Sequence, residues 1–428
     1  MCGSTGSFGS GGDIYLVKTD ESGVREWSNY LGGPGAQASV ACGVSQDGFI
    51  VAGSTGVGSF GGYDMLLVKI DQTGSIDWSR SFGGPDWDLC NDMAVLSDGF
   101  VMAGLTYSFG SADGDGYLVR TDFDGEVIWT RFISTPGFDE ALGVDVDQFD
   151  NIIVSGVVMG EFDPEDAFVN KYTSSGELIW STTFGGDSAD HVSSVALASD
   201  GGYVAIGGTS SYSTVPQVLV HKLDINGGSV WQREYGTAGV TVARKAVARN
   251  GGGVAMVGYN TVSNAGGQDM FLIQLDDNGY WILGKNYGSE SDEEGYGIDA
   301  LDDGGFVMAG VSDNYGPGIS AMYVVRCAAN GETEDDTVYP YVDPVSVPEL
   351  DTVLFGIAPN PSSGNVSFLS DMDFDKLLIF DVQGQLVEEH LFDQAKRSVS
   401  LEVSSGFYLM KFFSRSSYIG SSRLQILR

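Results

Sequence analysis

The chain has 428 residues, 58 of them Asp or Glu and 21 Lys or Arg, for a formal net charge of −37 at pH 7. Such a length supplies one large core and a further small domain. The charge opposes nucleic acid and anionic membrane surfaces and favours cations or basic partners. No apolar run approaches the ~18 residues of a transmembrane helix.

In chain order, Met1-Cys2-Gly3 leads straight into a Gly/Ser loop, with no signal-peptide pattern. Gly3-Ser4-Thr5 matches Gly53-Ser54-Thr55, so the first repeat is expected to start inside a unit, after its second strand, with further chain upstream. Ile70–Trp78 reads Asp-x-x-Gly-x-x-x-Trp, and the tryptophan recurs at Trp27, Trp78, Trp129, Trp180 and Trp231, each 51 residues after the last. A sixth, Trp281, comes two residues early relative to Gly279, with Leu283 in the expected slot. Alternation along a strand predicts that its ring keeps the same face. A seventh copy keeps Gly331 and Tyr339 without a tryptophan.

Residues 39–89 serve as the type unit. Val40–Val44, Phe49–Ala52, Met65–Ile70 and Ile76–Phe82 are short apolar runs, here called a, b, c and d. Gln46-Asp47-Gly48 and Asp71-Gln72-Thr73-Gly74 are tight turns between them, and Gly53–Tyr63 is a Gly/Ser/Thr loop. No run has a helical period, so each unit reads as four antiparallel strands. The a–b turn recurs as Asp98-Gly99, Asp150-Asn151, Asp200-Gly201, Asn250-Gly251 and Asp303-Gly304. Four strands repeated every ~50 residues are the pattern of a β-propeller. Seven c strands against six a–b pairs predict seven blades, the first incomplete.

Residues 341–351 hold Pro344 and Pro348 and read as a linker between a propeller at 1–340 and a second domain at 352–428. New β patterning begins near Leu354, without the 51-residue period. It contains Pro359-Asn360-Pro361, Gly364, the Leu377–Gln383 run with Gly384, the Gly406-x-Tyr408 segment and a last strand with Arg423. A small immunoglobulin-like β-sandwich fits the strand count.

Two resemblances follow from these residues. The repeats, with Asp64-x-x-x-Val68-Lys69-x-Asp71-x-x-Gly74 and Asp98-Gly99-Phe100, resemble the bacterial SBBP-type β-propeller repeat over about residues 3–340. That implies the fold and leaves the ligand open. Asn360-Pro361, Ile379-x-Asp381-x-x-Gly384 and Gly406-x-Tyr408 resemble the type A C-terminal sorting domain of type IX secretion cargo in the Bacteroidota. The chain departs from it at its end, where only Arg423 and Arg428 stand in place of lysine-rich strands. This second resemblance implies the type IX machinery as partner and an extracellular or outer-membrane-surface location.

Catalytic signatures are missing from the sequence: there is no G-x-S-x-G, HExxH, P-loop or dinucleotide motif. Cys2, Cys42, Cys90 and Cys327 share no repeat position and form no CxxC, which argues against a thiolate metal site. A Cys42–Cys90 bridge between adjacent blades is open to them in an oxidising compartment. The three histidines are His191, in a d–a loop, His221 and His390.

The a–b and c–d turns lie at one end of the strands, and the b–c and d–a loops at the other. The latter end carries aromatics at Phe8, Phe60, Phe109, Phe162, Tyr212 and Tyr315. It also carries the acidic pairs Asp86/Asp88, Asp139/Glu140, Asp187/Asp190 and Asp292/Glu293, with Asp13, Asp64, Asp115, Asp166 and Asp269 ahead of strand c. Either these are ordinary loop chemistry, or they form a carboxylate ring that holds calcium beside aromatic platforms. The recurrent tryptophans are expected to pack between blades. The leading function is a secreted or cell-surface propeller that binds glycans or proteins. Even unit lengths disfavour an enzyme, though a polysaccharide lyase or hydrolase stays open, as does a structural module of a longer surface protein.

Overall fold

Each repeat folds locally because its turn residues close short hairpins. In the c–d turn, Asp71 Oδ1 accepts hydrogen bonds from the backbone N–H groups of Thr73 (2.8 Å) and Ser75 (2.9 Å). Gly74 takes the positive φ of 85° that the turn requires. The same arrangement holds Gly125 after Asp122 and Gly227 after Asp224. The runs between turns pair as antiparallel strands; the b and c strands of the inner sheets bury both faces, whereas the d strands stay largely exposed.

The structure is a computed structural model. It describes residues 1–6, 12–32, 35–56, 61–159, 165–211, 216–236, 239–261, 267–315, 320–333, 357–358, 365–368, 374–380, 386–392, 398–414 and 417–426. Contacts divide the chain into two units, Met1–Tyr341 and Val342–Arg428. No helix among the described residues is long and apolar enough to cross a membrane.

In the first unit the described residues form repeated antiparallel sheets in the order a-b-c-d. The second sheet is typical: Gln37–Ser45, Gly48–Thr55, Asp64–Asp71 and Ile76–Phe82. The four that follow also have four strands, and the first and seventh have three. One sequence expectation is corrected at the start. Cys2–Thr5 is already a strand b, paired with Asp13–Thr19 from Cys2↔Leu16 to Thr5↔Asp13, so the chain enters this sheet within b and not after it. The seventh sheet holds Glu293–Ala300, Phe306–Ser312 and Ala321–Cys327. Its expected d strand around Tyr339 lies outside the described residues.

Adjacent sheets pack face to face. One shared core joins Leu118, Val101 and Trp129 of the third sheet to Ile152, Val154 and Phe168 of the fourth. The a strands lie nearest one another. Asp92 in the third sheet's a strand reaches Lys245 in the sixth sheet's, Oδ2 to Nζ at 2.5 Å. Between the outermost sheets, a Cβ added to Gly3 would lie 3.1 Å from Met322 Cε. Basic residues in strand c anchor the a–b turns through Lys69–Asp47 (2.7 Å), Lys171–Asp147 (2.9 Å) and Lys222–Asp200 (2.6 Å).

The tryptophans lock each sheet to the next. Trp27, Trp129, Trp180 and Trp231 donate from Nε1 to carbonyls in the following unit's c–d turn, at Gln72 (3.0 Å), Ser174 (2.9 Å), Ile225 (3.1 Å) and Asp277 (3.2 Å). Trp78 lies against the equivalent Gly125. Trp281 departs from the expectation of a conserved face. By register Leu283 faces Gln274 as Trp231 faces Lys222, and Leu283 takes the seat against Gly331. Trp281, opposite Leu275, is 53% exposed. The β-bulge that pairs Leu283 with Gln274 but Trp281 with the adjacent Leu275 breaks the alternation, so the Trp281 ring turns to the other face, near Tyr235 of the preceding sheet.

The Cys42–Cys90 pairing is also not what the fold favours. The buried Cys90 thiol donates to the Asp92 carbonyl at 3.6 Å, and Cys42 instead meets Cys2.

The second unit has a three-stranded sheet (Ile357–Ala358, Asn365–Phe368, Ser398–Ser400) and a four-stranded one (Leu386–Leu391, Lys376–Phe380, Gly406–Ser414, Ser417–Ile426). The two share a core of Val366, Leu377, Ile379, Met410, Phe412 and Leu424.

Candidate functional site

The predicted acidic pairs split into two kinds of residue. The first residue of each a strand is buried and committed to its own loop. Asp88 accepts from Gly84 N–H (2.7 Å) and Ser108 Oγ (2.7 Å), and also from Thr106 Oγ1. Asp139 accepts from Thr135 N–H and Oγ1. Asp190 accepts from Gly186 N–H (2.8 Å) and Ser211 Oγ (2.6 Å). Glu293 accepts from Ser289 N–H (2.6 Å) and Oγ (2.9 Å) and from Ser312 Oγ (2.7 Å). Asp86, Asp187 and Asp292 are exposed. Among the described residues no group of three or more His, Cys, Asp or Glu side chains is placed to hold a metal ion.

Of the loop aromatics, Phe109 packs on Tyr117 and Phe132 (both 5.8 Å between ring centroids). Tyr315 stacks on Tyr323 at 5.3 Å. Both rings therefore cover their own sheet. Phe8, Phe60, Phe162 and Tyr212 lie outside the described residues. The exposed Trp281 ring lies 6.1 Å from Tyr235, beside Tyr280 and Arg233, in an open depression on outer strands.

A more concentrated cluster lies one to three residues further along the a strands. Each a strand carries a β-bulge at the same place, with register shifts at Ser39/Ala41, Cys90/Asp92, Ala141/Gly143, Val192/Ser194, Ala243/Lys245 and Gly295/Gly297. A bulge adds one residue and re-aims its side chain. The bulged residues include Asn91, Arg244 and Tyr296. Asn91 Nδ2 donates to Glu140 Oε1 at 2.8 Å. Arg244 Nη2 lies 3.7 Å from Glu294 Oε2, and its guanidinium sits over the rings of Tyr259 (5.7 Å) and Tyr296 (5.3 Å). Tyr296 donates its hydroxyl to Glu294 Oε2 at 2.9 Å.

The electrostatics tie His191 and Glu165 to this group. Burial pushes the Glu140 carboxyl above its ordinary range; Asn91 opposes that shift and the nearby Glu165 charge adds to it. Burial pushes His191 down; Glu165 acts against this and Arg244 with it. Burial raises the Tyr296 phenol, and its hydrogen bond to Glu294 adds to the rise. At neutral pH the cluster therefore offers a neutral imidazole, a carboxyl held high, a cation between aromatic rings and a phenol. These groups suit hydrogen bonding to a polar ligand and proton exchange with it.

Deeper along the same strands, Asp92 also accepts from Val144 N–H at 3.0 Å. Burial pushes nearby Asp145 up to about 6, against the attraction of Lys245.

Sequence reasoning had named Glu140 and noted His191, but missed Asn91, Glu165, Arg244, Glu294 and Tyr296. The available signal was the Arg244-Lys245 pair inside an otherwise apolar a strand. The bulge that aims Arg244 has no signature of its own.

In the C-terminal unit, Gly406 pairs with Ile426, and Arg423 lies opposite Leu409. Tyr408 donates its hydroxyl to the Ser404 carbonyl at 3.0 Å. Pro359, Asn360, Pro361, Gly364 and Gly384 lie outside the described residues.

Residues 356–425 match the family described as the secretion system C-terminal sorting domain. No curated protein matches the chain. Among solved structures, the chain is similar to PorZ, a surface component of the type IX secretion system of Porphyromonas gingivalis. The identity is 14% and the TM-score 0.44, over 98% of this chain and 63% of that one. It is also similar to the periplasmic gluconolactonase PpgL of Pseudomonas aeruginosa (14% identity, TM-score 0.43, 88% of this chain and 99% of that one). A third is Sqt1 of Chaetomium thermophilum (12%, 0.47, 74% and 78%). The chain thus spans less than two thirds of the length of the PorZ chain.

Proposed function

We propose that this all-β protein, which carries a secretion-system sorting domain at its C-terminal end, is a secreted or surface-associated cargo of type IX secretion. We propose that its first unit is a seven-bladed β-propeller that binds a glycan or protein ligand outside the cell. The approach of Gly3 to Met322 and the Asp92–Lys245 pair support a closed ring of blades around the a strands. The Tyr408–Ser404 hydrogen bond, a tyrosine reaching back to upstream backbone, supports an immunoglobulin-like sandwich for the second unit.

The match over residues 356–425 carries the export part of this reading. Expressed behind an N-terminal export signal in a host with type IX machinery, the full chain is expected outside the cell, and a chain lacking residues 352–428 is expected to fold but stay in the periplasm. Normal secretion of the shortened chain would overturn it.

The Glu140–His191–Arg244–Glu294 cluster supports a ligand site at the d–a end of the a strands. Binding on a glycan array or to a surface protein, weakened at least tenfold by Arg244→Ala, is the expected result. The same cluster is the observation that favours a second reading, a polysaccharide-acting lyase or hydrolase. Release of reducing ends from a polysaccharide, abolished by His191→Gln, would select that reading over binding alone.

A further inference from the structure

We propose that Cys2 and Cys42 are joined as a disulfide in the exported protein, a covalent tie between the first and second sheets. Cys2 lies in strand Cys2–Thr5 of the first sheet, and Cys42 in strand Gln37–Ser45 of the second. The two strands pack side by side, with Ser39 Oγ donating to the Gly3 carbonyl at 3.1 Å. Across this contact the two side chains lie close enough for each thiol to shift the titration of the other.

The other cysteines have different surroundings. Cys90 is buried and donates to the Asp92 carbonyl. Cys327 is buried beside the Tyr287 hydroxyl. Only the Cys2–Cys42 pair combines a neighbouring sulfur with access from solvent, Cys42 being exposed.

The pair is also polarised for thiol chemistry. The neighbouring Cys2 thiol pulls Cys42 below the ordinary thiol range, and the same contact pushes Cys2 above it. Cys42 is therefore the thiolate that attacks first. With oxidised glutathione as oxidant, the Cys42 sulfur attacks one glutathione sulfur and expels a glutathione thiolate. Cys2 then loses its proton and attacks the Cys42 side of the mixed disulfide, expelling the second. Two protein thiols and one glutathione disulfide become one protein disulfide and two glutathione thiols, so atoms and electrons balance. The bond would fasten strand Cys2–Thr5, an outer strand of its sheet, to the neighbouring sheet.

This inference does not need the ligand or sorting readings, because the test uses the purified full chain in defined glutathione buffers. After equilibration with an excess of oxidised glutathione, free thiols are alkylated and the unreduced protein is digested for mass spectrometry. The expected result is one linked peptide pair containing Cys2 and Cys42, with Cys90 and Cys327 alkylated. Alkylation of both Cys2 and Cys42, or a Cys42–Cys90 link, would overturn the proposal. Oxidation is also expected to raise the melting midpoint of the wild type and of Cys90→Ser, but not of Cys42→Ser or Cys2→Ser. A rise that survives in Cys42→Ser would count against it equally.

Discussion

Trp129 lies on Gly176 of the next sheet: its Nε1 donates to the Ser174 carbonyl at 2.9 Å, and a Cβ on Gly176 would come within 3.0 Å of the ring. The glycine and tryptophan of one repeat thus serve different contacts, the glycine receiving the ring from the preceding unit. Trp129→Ala is expected to cost ~3–5 kcal/mol in urea unfolding, as for large aromatic truncations in cores. Gly176→Ala should also destabilise, because φ is +79° there and the ring blocks the methyl group. An unchanged midpoint in both variants would show that the ring does not hold the sheets together.

The sixth repeat separates position from residue type. Leu283 fills the seat against Gly331, whereas Trp281 is exposed. Leu283→Ala should therefore cost ~2–4 kcal/mol, and Trp281→Ala should stay within ~0.5 kcal/mol of wild type. The reverse order in thermal or urea unfolding would restore Trp281 to the structural series.

Two buried groups give pH dependence of opposite sign. Burial lowers His221 to about 4, with its ring edge-on to Phe184 at 4.2 Å. The unfolded histidine takes a proton near pH 6.5 while the folded one resists it. Stability therefore falls as pH drops below 6.5, by ~2 kcal/mol between pH 7 and 5. Asp145 is raised to about 6, so its penalty is absent below ~4 and grows as pH rises to 6. Asp145→Asn should stabilise the protein by ~1–3 kcal/mol at pH 7 and by little at pH 4. His221→Gln should remove the loss between pH 7 and 5. Urea unfolding of both variants at three pH values reads the signs directly.

The d–a loop acids should behave according to their hydrogen bonds. Asp190→Ala leaves Gly186 N–H without its acceptor and Ser211 Oγ with only the Ser188 carbonyl, at a cost of ~1–3 kcal/mol. Asp187→Ala, on the exposed neighbour, should change stability by less than ~0.5 kcal/mol. Both results are expected with calcium and with chelator alike. A loss seen only in calcium would mark the loop as a cation site.

In the C-terminal unit, Tyr408→Phe removes the hydrogen bond to the Ser404 carbonyl and keeps the ring. A loss of ~0.5–1.5 kcal/mol is expected, confined to the unfolding of residues 352–428. A shift in the first unit's transition instead would mean that the two units unfold together.

The amino-acid sequence by itself determined the strand count of each repeat, the turns, the change of pattern after residue 340 and the sorting domain. These depend on local chemistry: Asp and Gly close hairpins wherever they occur at the right spacing, and apolar alternation needs no distant partner to be read. The tertiary structure alone decided which residues meet. Trp281 and Leu283 are two residues apart, and only the bulge between them decides which one faces the next turn. Asn91, Arg244 and Tyr296 owe their aim to bulges that depend on pairing with strand b. Asp92 and Lys245 stand 153 residues apart and meet because the a strands of separate sheets face one another. Cys2 meets Cys42 rather than Cys90 because packing between the first two sheets, not repeat spacing, sets which sulfurs touch.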